Sequence, residues 1–210
     1  MTVLGVADYP AFVLAVIVFL AIPGPGNLAI VTSTGKRGVR GGLAAAGGLI
    51  VGDQVLLWLA VAGVAALLAA HPQALAAIRW VGAAYLAWLG FSLLRSRGGP
   101  GSGPRLPVAI TAGREARQAF LITLLNPKAI VFYMAFFPLF LDPARPASLP
   151  TFAAMAATIA VLTFLYCLLV TLLTHRLAER LRASPRAVRW LNRIAGTAMV
   201  AFGIRVALDR

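Results

Sequence analysis

Six runs of about twenty or more apolar residues, each nearly free of charge, constrain this chain more than any other feature. They cover roughly residues 11–33, 43–69, 75–94, 119–141, 149–174 and 188–208. At about 1.5 Å of helical rise per residue, each run is long enough to span roughly 30 Å of hydrocarbon. The runs are continuous rather than alternating, so they read as helices and not as barrel strands. The expected fold class is all-α, a polytopic membrane protein with six transmembrane helices in one domain, residues 1–210. The composition leaves little alternative, with 60% hydrophobic and 12% charged residues over 210 positions and a mean hydropathy of +0.88. A soluble enzyme or a disordered chain with so little polar surface is excluded. The first run continues into Pro23-Gly24-Pro25-Gly26 instead of a small-residue cleavage site, so it is expected to stay as a span rather than leave as a signal peptide.

A net charge of +13 would suit a nucleic-acid partner, but the cations lie between the apolar runs and not along one folded face. There they report topology. Lys36, Arg37 and Arg40 follow the first run; Arg95, Arg97, Arg105, Arg114 and Arg117 follow the third; the stretch entering the sixth carries six arginines from Arg176 to Arg193. These fourteen alternate with only four on the other side: Arg79, Arg145, Arg205 and Arg210. Cytoplasmic loops hold the excess of Lys and Arg, so the rich loops are placed in the cytoplasm and both termini outside, with lipid rather than nucleic acid as the partner surface. Residues 98–112, beginning Gly98-Gly99-Pro100-Gly101-Ser102-Gly103-Pro104, read as a flexible cytoplasmic linker. It separates half-repeats of about residues 1–97 and 113–210. Three spans per half give the halves opposite orientations, the geometry of a 3+3 inverted repeat.

Charge inside a span needs a reason, since Asp or Lys at mid-membrane costs about 2.5–3.5 kcal/mol. Asp53 and Lys128 lie deep in the second and fourth runs, and two helix breaks accompany them: Pro23-Gly24-Pro25-Gly26-Asn27 and Asn126-Pro127. Proline removes a backbone donor and leaves carbonyls without helical partners, which a membrane tolerates only against protein or a water-filled cavity. Counted inward from the cytoplasmic loops, Asn27 lies roughly 12 Å deep, Asp53 roughly 16 Å and Lys128 roughly 15 Å. The candidate substrate site is therefore Pro23, Gly24, Pro25, Gly26, Asn27, Asp53, Asn126, Pro127 and Lys128, with Asp53 the candidate proton-coupling group. Gly48 and Gly52 form a GxxxG pair that suits close packing within the chain as well as a homo-oligomer. For Thr158, Thr163, Tyr166 and Thr171 the expected role of the hydroxyl is a bond to its own backbone.

No catalytic residue, metal site or cofactor is expected. His71 and His175 sit at run ends without a paired nucleophile, and Cys167 is a single cysteine in an apolar run. Asp53 alone at depth is too little for a metal permease.

Pro23-Gly24-Pro25-Gly26-Asn27, Gly52-Asp53, Tyr85-Leu86-Ala87-Trp88-Leu89-Gly90 and Leu125-Asn126-Pro127-Lys128-Ala129, in that order, resemble the lysine-exporter (LysE) superfamily. The resemblance is nearest to its RhtB-type branch of homoserine, threonine and neutral amino-acid exporters. It implies a bacterial inner-membrane efflux protein driven by proton exchange. The basic-amino-acid branch carries an acid shortly after Asn-Pro; here Ala129-Ile130-Val131-Phe132-Tyr133 has none, which points away from lysine or arginine. The leading reading is a secondary exporter of small neutral amino acids coupled to proton influx. A non-transporting membrane scaffold and a metal or ion permease remain alternatives. On the six-span reading, cysteines placed at Ser102 and Arg210 should label from opposite faces of intact cells. Labelling of both by one impermeant reagent would refute it.

Overall fold

The structure is a computed structural model that describes residue 6 and residues 8–22, 24–70, 84, 91, 110–141, 148–181, 193 and 197. The third and sixth runs fall outside the described residues apart from Ala84, Phe91, Arg193 and Thr197, each of which is helical. Pro23 and most of the linker also lie outside them.

Asp8 opens the first helix, α1 (Tyr9–Ala21), by accepting a bond from the Ala11 N–H at 3.1 Å. The helix stops at Ile22, whose backbone is extended (φ −67°, ψ 121°), the conformation favoured before a proline. Helix α2 (Pro25–Ala70) starts with proline at its first position, where no N–H is needed. Its backbone leaves the helix at Arg37 (φ −132°, ψ 22°) and Gly38 (φ 61°, ψ −153°). A Cβ on Gly26 would lie 3.3 Å from Leu49 Cδ2, although one straight helix would hold those residues about 35 Å apart. The chain therefore reverses at Arg37–Gly38, and α2 is a hairpin of two arms. The positive φ explains why glycine stands at the reversal.

The first run is thus split. Helix α1, of 13 residues, is about 20 Å long and too short to cross a bilayer alone. With the first arm of α2 it makes one broken span. The stretches Pro25–Gly63 and Leu149–Arg176 are long and apolar enough to cross a membrane, and because the first contains the reversal at Arg37–Gly38, its crossing part is the second arm of α2. The fourth run is broken likewise, into α3 (Glu115–Leu124) and α4 (Pro127–Val131). Helix α4 passes into a π-helical turn (Phe132–Phe136) and a 3-10 turn (Phe137–Phe140). The fifth run is the continuous helix α5 (Leu149–Leu181). Among the described residues the non-helical pairing is one antiparallel bridge, Val6 with Leu141.

Burial is inverted relative to a water-soluble bundle. Leu149 (70% exposed), Leu59 (63%) and Leu14 (62%) face outward, whereas Asp53, Asn126, Thr151, Thr163 and Thr171 are buried. Lipid accepts the leucines, and only the interior accepts the polar groups.

Two apolar cores hold the elements together. One joins Ala29 and Ile30 to Ala45, Ala46, Leu49, Ala119, Ile122 and Cys167. The other joins α1 residues Phe12, Val16 and Phe19 to Leu57, Phe132, Tyr133, Met155 and Ile159. The second arm of α2 runs from Leu49 in one core past Asp53 to Leu57 in the other, and α5 runs from Ile159 past Thr163 to Cys167. A polar level is thereby enclosed between two apolar ones.

The expected linker ends in a docked turn. Ile110 is buried, its carbonyl receives the Lys36 ammonium, and the Thr111 N–H donates to Gln118 Oε1 at 2.6 Å. Beside it Arg37 Nη1 meets the buried Glu115 Oε2 at 3.2 Å, tying the α2 hairpin turn to the start of α3. Burial pushes the Glu115 carboxyl up. The backbone N–H groups of Glu115 and Gly113 and the Arg37 guanidinium outweigh this and hold it below its ordinary 4.5.

The glycine pair on α2 packs within the chain. A Cβ on Gly48 would lie 2.0 Å from the Ala116 carbonyl oxygen, and one on Gly52 would lie 2.7 Å from Thr123 Cβ. Gly48→Ala must push α3 away from α2, so the purified protein should lose about 1–3 kcal/mol of stability in detergent. A variant as stable as the parent would show that the two helices do not pack this closely. A depressed carboxyl stabilises fully above its ordinary pKa and stops doing so as pH falls through the lowered one. The melting temperature should therefore drop as the pH is taken below 4.5, and Glu115→Gln should flatten that dependence.

Candidate functional site

The broken end of α1 creates a deficit of donors. In a continuous helix the carbonyls of Phe19, Leu20 and Ala21 would receive the N–H groups of residues 23, 24 and 25, and two of those residues are proline. Side chains from elsewhere fill the gap. Lys128 Nζ donates to the Phe19 and Ile22 carbonyls at 2.7 and 2.8 Å, and its ammonium stands 4.4 Å from the Phe19 ring centroid. Asn27 Nδ2 lies 3.2 Å from the Leu20 and Ile22 carbonyls and 3.1 Å from the Tyr166 hydroxyl oxygen, so its two hydrogens are shared among three acceptors. A cation at a helix C-terminus also meets the negative end of the dipole.

Asn126 is the N-cap of α4. Its side-chain oxygen accepts the Lys128 N–H at 3.1 Å, with Pro127 at the first helical position. Gly24 stands in the same relation to α2, its carbonyl taking the Leu28 N–H at 3.1 Å. Two helix N-termini thus begin at one place, at Gly24-Pro25-Gly26-Asn27 and at Asn126-Pro127-Lys128.

Between them is a cavity of about 40 Å³, lined by Gly24, Gly26, Asn27, Asp53, Asn126 and Lys128 together with Phe19, Leu20, Leu49, Thr123, Ala129, Thr163, Tyr166 and Cys167. Space of that size takes a few waters. Asp53 is 7% exposed and receives the hydroxyl of Tyr133, which the π-helical turn carries inward. Lys128 is near enough for its charge to act on Asp53, but among the described residues the ion pair within 4.0 Å is Arg37–Glu115.

The expected site residues Gly24, Gly26, Asn27, Asp53, Asn126 and Lys128 line this one cavity, and Pro25 and Pro127 begin the two helices that open on it. Pro23 lies outside the described residues. Two of the three Lys128 donors, and the Asn27 amide, are engaged by α1, a use the sequence did not suggest. Tyr133, Thr163, Tyr166 and the apolar lining were not singled out as site residues. The expectation that hydroxyls on α5 bond their own backbone holds for Thr158, which donates to the Ala154 carbonyl at 2.8 Å, and fails for Thr163 and Thr171, whose Oγ1 atoms have no hydrogen-bond partner. No three His, Cys, Asp or Glu side chains converge among the described residues.

The chain is 35% identical to an uncharacterised membrane protein of Pseudomonas aeruginosa, over 99% of this chain and 98% of that one. It is 31% identical to a leucine efflux protein of Salmonella typhimurium, over 97% and 96% of the two chains, and 30% identical to a leucine efflux protein of Klebsiella pneumoniae with the same coverage. No solved structure matches it. Residues 17–210 match the family model for LysE type translocators, and with nearly the whole chain covered, the protein belongs to that family.

Proposed function

We propose that this protein is a secondary exporter of small neutral amino acids, leucine among them, across the bacterial inner membrane, with the cavity as its substrate site. The observation that carries the reading is the meeting of two helix N-termini and one carboxylate, Asp53, at a single polar level between two apolar cores. A zwitterion needs two seats of opposite sign in a medium where an unpaired charge is costly. The substrate carboxylate is assigned to the N-terminal ends of α2 and α4 and the remaining donor of Lys128. The ammonium is assigned to Asp53, and the side chain to Phe19, Leu20 and Leu49. A second substrate cation would find no second acid among the described lining residues, so lysine should be a poor substrate.

Support for the leucine class comes from the relatives named as leucine efflux proteins, which align over nearly their whole length. The proposed coupling follows from the charge of Asp53. When the substrate ammonium departs, a proton taken from outside replaces it as the neutralising charge, so inward proton flow accompanies export. Termini outside the cytoplasm complete this reading, on the strength of the cation bias.

Transport of radiolabelled L-leucine in proteoliposomes under an imposed proton gradient tests it. Asp53→Asn should abolish accumulation against a gradient while leaving leucine exchange between the two sides. Concentrative transport by the variant would remove Asp53 from the coupling step. An inert wild-type protein offered a panel of neutral amino acids would remove the exporter reading itself.

A further inference from the structure

Helix α5 presents Thr163, Tyr166 and Cys167 to the cavity, spaced three and four residues apart on one face. A helical threonine ordinarily gives its hydroxyl hydrogen to the carbonyl four residues back. Thr34, Thr123 and Thr158 do so at 2.8, 3.1 and 2.8 Å. Thr163 does not. It is 2% exposed, its Oγ1 has no hydrogen-bond partner, and it lines the cavity. Ser33 Oγ and Thr171 Oγ1 are also unpartnered, but neither lines the cavity, and Thr171 packs where a Cβ on Gly42 would touch it. A buried hydroxyl left without a partner is costly unless something entering the cavity supplies one.

We propose that Thr163 is a substrate-binding residue whose hydroxyl oxygen accepts a hydrogen bond from the substrate ammonium, beside the Asp53 carboxylate. This rests on the amino-acid reading of the cavity. A primary ammonium carries three donors and is best held by three acceptors. The three N–H bonds of an ammonium diverge tetrahedrally, so one planar carboxylate, Asp53, which also takes the Tyr133 hydroxyl, cannot face all three. Thr163 and Asp53 line the same cavity, as does Cys167 one turn further along the same face of α5. The Tyr166 oxygen is a poorer acceptor, since Asn27 Nδ2 already donates to it at 3.1 Å. Thr163 therefore selects for a free primary ammonium.

The test compares wild type, Thr163→Val and Thr163→Ser in proteoliposomes by L-leucine counterflow. Valine keeps the shape and removes the oxygen, while serine keeps the oxygen. Loss of one hydrogen bond to a charged group should raise the KM of the valine variant about tenfold or more. The serine variant should stay within about threefold of wild type, since it retains the acceptor. Competition by 4-methylpentanoate, which lacks the ammonium, should be equal for wild type and the valine variant. In detergent without leucine, Thr163→Val should melt no lower than wild type, because an unpaired hydroxyl is gone. It should also lose the rise in melting temperature that leucine gives wild type. An unchanged KM in a valine variant beside an active wild type would overturn the inference, leave the hydroxyl to water or to packing, and keep the exporter reading intact. Absence of counterflow in wild type, with leucine and with the other neutral amino acids, would overturn both.

Discussion

The ammonium of Lys128 against the carbonyls of Phe19 and Ile22 is the interaction on which the site depends. Without it, the Phe19 carbonyl would lose its donor and the Ile22 carbonyl would keep only a share of the Asn27 amide, at a break deep inside a membrane. The same bond explains why a lysine is tolerated at mid-span. Its charge sits on the negative end of a helix and over the Phe19 ring, with Asp53 close enough to balance it. The cation and the break require one another, and the cavity forms between them.

Much of the remaining structure keeps this polar level dry on both sides. Helices α2 and α5 pass from one apolar core to the other and place Asp53 and Thr163 at the crossing, where Asn126 at the head of α4 also lies. Gly48 and Gly52 bring α2 close against α3 beside that level. The docked turn at Ile110 and the Arg37–Glu115 pair tie together the end that the cation bias assigns to the cytoplasm.

Asn27, Asp53, Asn126 and Lys128 were legible in the sequence because each is expensive in lipid, and counting helical rise from the nearest basic loop placed them at one depth. The breaks were legible because proline cannot donate. The partners of these groups were not. Nothing in the spacing says that Lys128 and Asn27 serve α1, since that depends on which helix ends beside which. Thr163 was hidden by its chemistry: a hydroxyl in an apolar helix has a default partner on its own backbone, and only coordinates reveal that this one lacks it. Tyr133 was hidden by the π-helical turn, which shifts the helical register and re-aims the residues that follow. Splitting of the first run into α1 and an arm of α2 was foreseen as an interruption, whereas the reversal at only Arg37 and Gly38 was masked by the longer basic stretch around it.

That reversal has a mechanical consequence. A connection of two residues has no slack, and Gly26 against Leu49 and Gly41 against Ser33 leave the arms no room to slide. The hairpin must travel as one rigid lever. On the exporter reading proposed above, any rearrangement that turns the cavity from one side of the membrane to the other is taken up at the two helix breaks, before Pro25 and at Asn126, rather than at the Arg37–Gly38 turn. Both hinges border the proposed substrate cavity, so a ligand there would sit at the fulcrum and feel every degree of the swing.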